Sequence, residues 1–75
     1  MNKFGQFVRE KRMSLNLTIK DLAKKIGISV VQLSNVEFGY NLPRINSIHK
    51  YASALGCNAD ELTNVWLEDH YARTK

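Results

Sequence analysis

The chain has 75 residues, of which 44% are hydrophobic and 24% are charged, values typical of one small globular domain. No run of about 18 apolar residues occurs, which argues against a membrane-spanning helix, and a single cysteine excludes an internal disulfide. The net charge is +4; residues 1–50 carry nine of the eleven basic side chains but three of the seven acidic ones, which favours a polyanionic partner for this part.

Apolar residues recur at helical spacing in five segments, and short polar breaks separate the segments. The first segment contains Phe4, Phe7 and Val8 on one face and ends around residues 14–16. No segment alternates between apolar and polar residues with a period of two, so no strand is expected. The pattern therefore predicts an all-α domain.

The second and third helices carry clear start and stop signals. Thr18 and Asp21 have the spacing of a capping box, and Gly27 is placed to end the second helix. Ser29 is the expected N-cap of the third helix, with Gln32 three residues later. The two helices are thus predicted to meet at a turn of two residues.

The remaining elements follow a polar turn over residues 39–44. The fourth helix is predicted to begin near Ile45 and to be closed by Gly56. The fifth is predicted to run from about Ala59 to Tyr71. Residues 1–75 are therefore interpreted as one domain, with a C-terminal helix within residues 59–72.

Residues 18–38 have the form of a helix-turn-helix, in which two short helices are joined by a tight glycine-containing turn. The arrangement suits DNA because the major groove admits one α-helix, while the preceding helix lies across the phosphate backbone. Helical bundles also contain short turns, so this pattern alone is only moderately specific.

Two charges fall on the inward faces of helices. Arg12 lies four residues after Val8, and Glu37 lies four residues after Leu33. A charge on a core face is costly unless it is paired, so Arg12 and Glu37 are predicted to pair and to join the first helix to the third. The alternative is that either side chain extends to solvent.

With these features the chain resembles the XRE family of phage repressor and Cro-like domains over residues 4–62. The resemblance rests on the runs VREKR at 8–12, LTIKDLA at 17–23 and ISVVQLSNVEFG at 28–39, followed by Pro43, Leu55-Gly56 and Asp60-Glu61-Leu62. It implies a five-helix repressor-like fold that binds an inverted-repeat operator as a dimer. In that family an arginine and a glutamate at the positions of Arg12 and Glu37 form an internal ion pair.

The resemblance also implies roles for individual positions. The third helix would enter the major groove, where the base-reading positions are Ser29, Val30, Val31, Ser34 and Asn35. The starts of the second and fourth helices would face phosphates through backbone N–H groups. The side chains expected to contact phosphates are Thr18, Lys20, Gln32, Tyr40, Asn41 and Arg44.

Three departures from the family pattern bear on these roles. Ile19 replaces a glutamine that contacts phosphate, and Arg44 replaces a serine N-cap, so Asn46 is a candidate cap if the fourth helix starts late. Val30 and Val31 replace polar or basic residues. They are interpreted as packing on thymine methyl groups; the alternatives are a protein-binding surface and, for Val30, inward packing. Asn35 is the expected hydrogen-bonding reader, with adenine as its partner.

The last helix carries more apolar side chains than a core this small requires. Val65, Trp66 and Tyr71 are predicted to form part of a two-fold dimer interface, because Trp and Tyr are enriched at such sites. The alternative is that Trp66 and one neighbour only close the core.

The sequence predicts a cytoplasmic, sequence-specific regulator that binds double-stranded DNA as a homodimer. No enzyme activity, metal, cofactor, small-molecule ligand or membrane contact is expected: His49 and His70 are interpreted as surface residues and Cys57 as a small buried thiol. The alternative function is a protein-interaction module, such as an antitoxin or anti-repressor, on the same fold. The operator, activation versus repression, and the choice between phage repressor, restriction–modification controller and antitoxin stay open.

Overall fold

The computed structural model describes residues 3–73 and confirms the predicted all-α class with five helices. Within that range there is no strand, and no helix is long and apolar enough to cross a bilayer. A 3₁₀ turn, Ile45–Ser47, precedes the fourth helix. The helices are α1 (Lys3–Ser14), α2 (Ile19–Ile26), α3 (Val30–Glu37), α4 (Ile48–Leu55) and α5 (Ala59–Arg73).

Local hydrogen bonds determine where α2 begins, and a glycine determines where it ends. The Thr18 hydroxyl accepts a hydrogen bond from the Asp21 N–H at 3.0 Å, and the Asp21 carboxylate accepts one from the Thr18 N–H at 3.1 Å. The bond from the Thr18 backbone N–H to the charged carboxylate is the main cause that lowers the pKa of Asp21. At the other end Gly27 has a φ of +91°, a left-handed conformation that glycine adopts without strain. The predicted capping box and stop are both present.

The start of the fourth helix differs from the prediction that Asn46 caps it. Asn46 lies inside the 3₁₀ turn, and Ser47 takes the N-cap position of α4 without a side-chain hydrogen bond to the helix. The reason is geometric: the tighter turn places Asn46 one position before the site at which a cap can accept from the first turn of α4.

The core lies where all five helices meet. At its centre the rings of Phe4 and Tyr51 make an edge-to-face contact with centroids 5.6 Å apart. Burial, with a further contribution from the Glu37 charge, raises the pKa of Tyr51 to about 12. The buried apolar side chains are Phe4, Val8, Leu22, Ala23, Ile26, Leu33, Val36, Ile48, Tyr51, Ala52, Leu55, Leu62 and Trp66.

Asp69, a residue of α5, caps the N-terminal end of α1. The buried Asp69 carboxylate accepts hydrogen bonds from the backbone N–H of Phe4 at 2.6 Å and from that of Lys3 at 3.1 Å. It therefore satisfies two of the donors that the start of α1 leaves open, and its negative charge faces the positive end of the helix dipole. This long-range cap fixes α5 against α1.

We expect Asp69→Ala to lower the free energy of unfolding by about 1–2 kcal/mol, the usual effect of losing a helix N-cap. Urea denaturation followed by circular dichroism measures this change. The matched control is Glu68→Ala, which removes an exposed ion pair with Lys3 (3.3 Å) and should change stability by about 0.5 kcal/mol or less. Equal effects of the two substitutions would contradict a capping role for Asp69.

Candidate nucleic-acid interface

The turn between α2 and α3 is closed by backbone hydrogen bonds. The N–H groups of Gly27 and Ile28 both donate to the Ala23 carbonyl, at 2.8 and 3.0 Å. One residue later the Ser29 hydroxyl accepts from the Gln32 N–H at 3.0 Å and starts α3. The predicted helix-turn-helix over residues 18–38 is therefore present, with both of its helices capped.

α3 has one buried and one open face. Leu33, Val36 and Glu37 are buried, whereas Val31 is 70% exposed and Val30 is 41% exposed. The alternative that Val30 packs inward is therefore wrong, because its side chain is exposed and belongs neither to the core nor to the side chains packed against it. Ser29 is exposed, and Ser34 and Asn35 are half-buried, so all five predicted base-reading residues retain accessible surface.

Arg12 and Glu37 form the ion pair that the sequence predicts. Arg12 Nε donates to Glu37 Oε2 at 2.8 Å and Nη2 donates to Oε1 at 3.0 Å, a two-pronged contact. Arg12 Nη1 also donates to the Leu17 carbonyl at 2.9 Å. Glu37 is 3% exposed, so its charge depends on this partner. The guanidinium thus joins α1, α3 and the segment that enters α2.

Three of the six predicted phosphate contacts lie around one crevice. Gln32, Asn41 and Arg44 line a cavity of about 270 Å³ bounded by α3, the loop at residues 39–44 and α4. Lys50 lines the same cavity and adds a second positive charge. Lys50 is not among the phosphate contacts expected from the sequence, although Ile48, Ala52 and Leu55 already place it on the outer face of α4.

The other three predicted phosphate contacts lie apart from this crevice. Thr18 and Lys20 are exposed at the start of α2, and the Thr18 hydroxyl is already engaged as a cap. Tyr40 is exposed on the loop, with its ring 6.4 Å from that of Phe38. Ile19, which replaces the family's glutamine, packs against the edge of the core.

Trp66 has a different environment from the one predicted. Its side chain is 8% exposed, and its Nε1 donates to the Pro43 carbonyl at 2.6 Å. The His70 ring stacks on the indole with centroids 4.8 Å apart. The prediction that Trp66 lies on a dimer interface is corrected on this ground, because a side chain buried within its own subunit has little surface left for a partner. Val65 is half-buried, and Tyr71 is 62% exposed.

Among residues 3–73, no three His, Cys, Asp or Glu side chains are close enough together to hold a metal ion. Cys57 is half-buried, and burial raises the pKa of its thiol. A raised pKa keeps the thiol protonated near neutral pH, which disfavours nucleophilic chemistry. The groups exposed on α3 and around the crevice are hydrogen-bonding, apolar and positively charged side chains.

Comparison with known proteins gives a family and one curated relative. The family described as "Helix-turn-helix" matches residues 8–62. The "Cryptic phage CTXphi transcriptional repressor RstR" of Vibrio cholerae is 33% identical over 67 residues. The alignment covers 89% of this chain and 60% of the relative, so the chain spans about three fifths of that protein's length.

The ion pair generates a stability prediction. Arg12→Met leaves the Glu37 carboxylate buried without a partner, so we expect it to lower the free energy of unfolding by about 3–5 kcal/mol. Replacing both partners, Arg12→Met with Glu37→Leu, removes the buried charge and should restore much of the loss. Thermal and urea denaturation compare these variants with Arg9→Met, whose side chain is exposed on the same helix. The interpretation fails if Arg12→Met is as stable as Arg9→Met.

Proposed function

Because the chain belongs to the helix-turn-helix family, we propose that it is a sequence-specific, DNA-binding transcriptional regulator of the XRE type that catalyses no reaction. The observation that carries the proposal is the two-sided character of α3. Its inner face is held by Leu33, Val36 and the Arg12–Glu37 pair, while its outer face is open. A helix fixed from behind in this way can enter a major groove without rearrangement.

In the proposed complex, the outer face of α3 reads base edges. Val30 and Val31 contact thymine methyl groups, and Asn35 forms paired hydrogen bonds with adenine. Ser29 and Ser34 add hydrogen bonds from the start and the middle of the helix. The 70% exposure of Val31 supports this role, because its side chain is available to a ligand.

Phosphates flank this reading helix in the proposed complex. Thr18 and Lys20 contact one stretch of backbone at the start of α2, and the start of the 3₁₀ turn before α4, which no side chain caps, offers N–H groups to another. The crevice side chains and Tyr40 hold the second stretch. Four of these groups are positively charged or amide donors that surround one cavity: Gln32, Asn41, Arg44 and Lys50.

We further propose that the protein acts in the cytoplasm as a homodimer on an inverted-repeat operator, with half-sites about 34 Å apart. The name of the Vibrio relative, a phage transcriptional repressor, favours repression. Val65 and Tyr71 are the proposed interface residues of α5, without Trp66. In this proposal the whole of residues 1–75 acts as one DNA-binding domain.

A second function is favoured by the exposed apolar side chains at the end of α3. Phe38 and Tyr40 follow α3 directly and are 57% and 74% exposed, and Val31 in the first turn of α3 is also exposed. Clusters of this kind also mark protein-binding sites. In that case the chain would be a protein-interaction module such as an antitoxin or anti-repressor.

A selection from random-sequence DNA, followed by gel-shift titration, tests DNA reading. We expect Asn35→Ala to weaken binding to the selected site by about tenfold or more, since a bidentate contact contributes about 1–3 kcal/mol. Lys50→Gln should instead weaken all sequences alike and lower the salt slope by about one. If the unaltered protein selects no sequence, the protein-interaction function replaces the regulator.

The dimer proposal is tested by analytical ultracentrifugation. Tyr71→Asp introduces a charge into the proposed interface, so we expect its sedimentation to shift from a dimer to a monomer at the same concentration. Met13→Asp is the control, because Met13 is also an exposed apolar side chain but lies on α1. A dimer that survives Tyr71→Asp, or a monomeric unaltered protein, would remove α5 as the interface.

A further inference from the structure

The loop that follows α3 is tied to the last helix by the Trp66 indole. The Nε1–H of Trp66 donates to the Pro43 carbonyl at 2.6 Å, across 23 positions of sequence. Proline has no N–H, so this carbonyl is the only backbone hydrogen-bonding group that Pro43 possesses. A buried indole N–H needs an acceptor, and the loop supplies it.

The two ends of the loop are fixed by local bonds. The N–H groups of Tyr40 and Asn41 donate to the Asn35 carbonyl at 2.9 and 3.2 Å, which holds the loop to the last turn of α3. At the other end the Ser47 N–H donates to the Arg44 carbonyl at 2.9 Å and closes the 3₁₀ turn. The Trp66–Pro43 bond lies between these ends and sets how far the middle of the loop stands from α5.

The orientation of Trp66 is itself constrained. The ring of His70 stacks on the indole at an interplanar angle of 10°. Asp69, one turn after Trp66 on α5, is bound to the backbone of Lys3 and Phe4. The helix that presents the indole is therefore fixed against α1, so the Nε1–H points at Pro43 from a rigid support.

The Trp66–Pro43 hydrogen bond holds one wall of the crevice described above, because Pro43 is among its lining residues. Asn41, Pro43 and Arg44 line the cavity from the loop, and Gln32 and Lys50 line it from α3 and α4. A shift of Pro43 would move Arg44, the next residue, relative to Lys50. The spacing of those two positive charges depends on the loop geometry that Trp66 holds.

We propose that Trp66 is a positioning residue for DNA-backbone binding: its indole N–H holds the loop at residues 39–44 in the geometry that binds phosphate. The inference rests on the proposed DNA-binding function and assigns to α5 a part in it. Trp66 makes no contact with DNA in this proposal, and acts through Asn41 and Arg44.

The test removes the N–H and retains the apolar ring. In Trp66→Phe we expect affinity for the selected DNA to fall roughly fivefold, the factor for one net hydrogen bond. The slope of log affinity against log salt should also fall by about 0.9 for each phosphate that the loop no longer binds. A merely less stable protein would bind with an unchanged slope, because its folded fraction binds the same phosphates.

A second variant controls for the cavity that phenylalanine leaves. Since Trp66 is the only tryptophan, supplying 3-benzothienylalanine in its place substitutes sulfur for the N–H at this one position while nearly keeping the shape. We expect the same decrease in slope as in Trp66→Phe. The matched control is Thr63→Val, which removes a 2.7 Å hydrogen bond from the Thr63 hydroxyl to the Ala59 carbonyl within α5.

Hydrogen–deuterium exchange measures the order of the loop without DNA, so it tests the role of Trp66 independently of the DNA-binding function. We expect faster exchange of the Tyr40 and Asn41 amides in both indole variants and unchanged exchange there in Thr63→Val. Unchanged loop exchange, or a salt slope equal to that of Thr63→Val, would overturn the inference. Faster loop exchange in a protein that binds no DNA would instead support the tie and overturn the DNA-binding function.

Discussion

The structure depends most on one buried charge. Glu37 lies on the inner face of α3, where an unpaired carboxylate would cost several kcal/mol. Its partner must therefore come from a neighbouring helix, and Arg12 on α1 meets it with two hydrogen bonds. The third donor of Arg12 reaches the Leu17 carbonyl just before α2. One guanidinium thus sets the relative positions of three helices, and the outer face of α3 follows from that geometry.

Features governed by neighbours in sequence can be predicted. The capping of α2 by Thr18 and Asp21, its stop at Gly27 and the start of α3 at Ser29 each need a few residues at fixed spacing. The ion pair is also predictable, although it is long-range, because periodicity places two opposite charges on inward faces. For the site, the sequence indicates which helix has an open outer face and which types of side chain that face carries.

Features governed by packing cannot be predicted in the same way. Asp69 finds its partners 65 and 66 positions away, and Trp66 finds its acceptor 23 positions away. The helical period shows on which face of α5 these side chains lie, but it does not show which helix end or loop they contact. The sequence therefore suggests an interface for Trp66 and does not group Lys50 with Arg44, because only the folded loop brings both charges to one crevice.

The long-range cap of α1 has a consequence for synthesis on the ribosome. α1 is made before α5, yet the carboxylate that satisfies its initial N–H groups belongs to residue 69 of α5. A nascent chain therefore cannot complete the start of its first helix until nearly all of the domain has left the exit tunnel. The contact between Asp69 and the start of α1 then closes a loop of over sixty residues. The entropic cost of closing a loop grows only slowly with its length. This contact favours folding of the domain in one step, once residue 69 has emerged, over stepwise growth from α1.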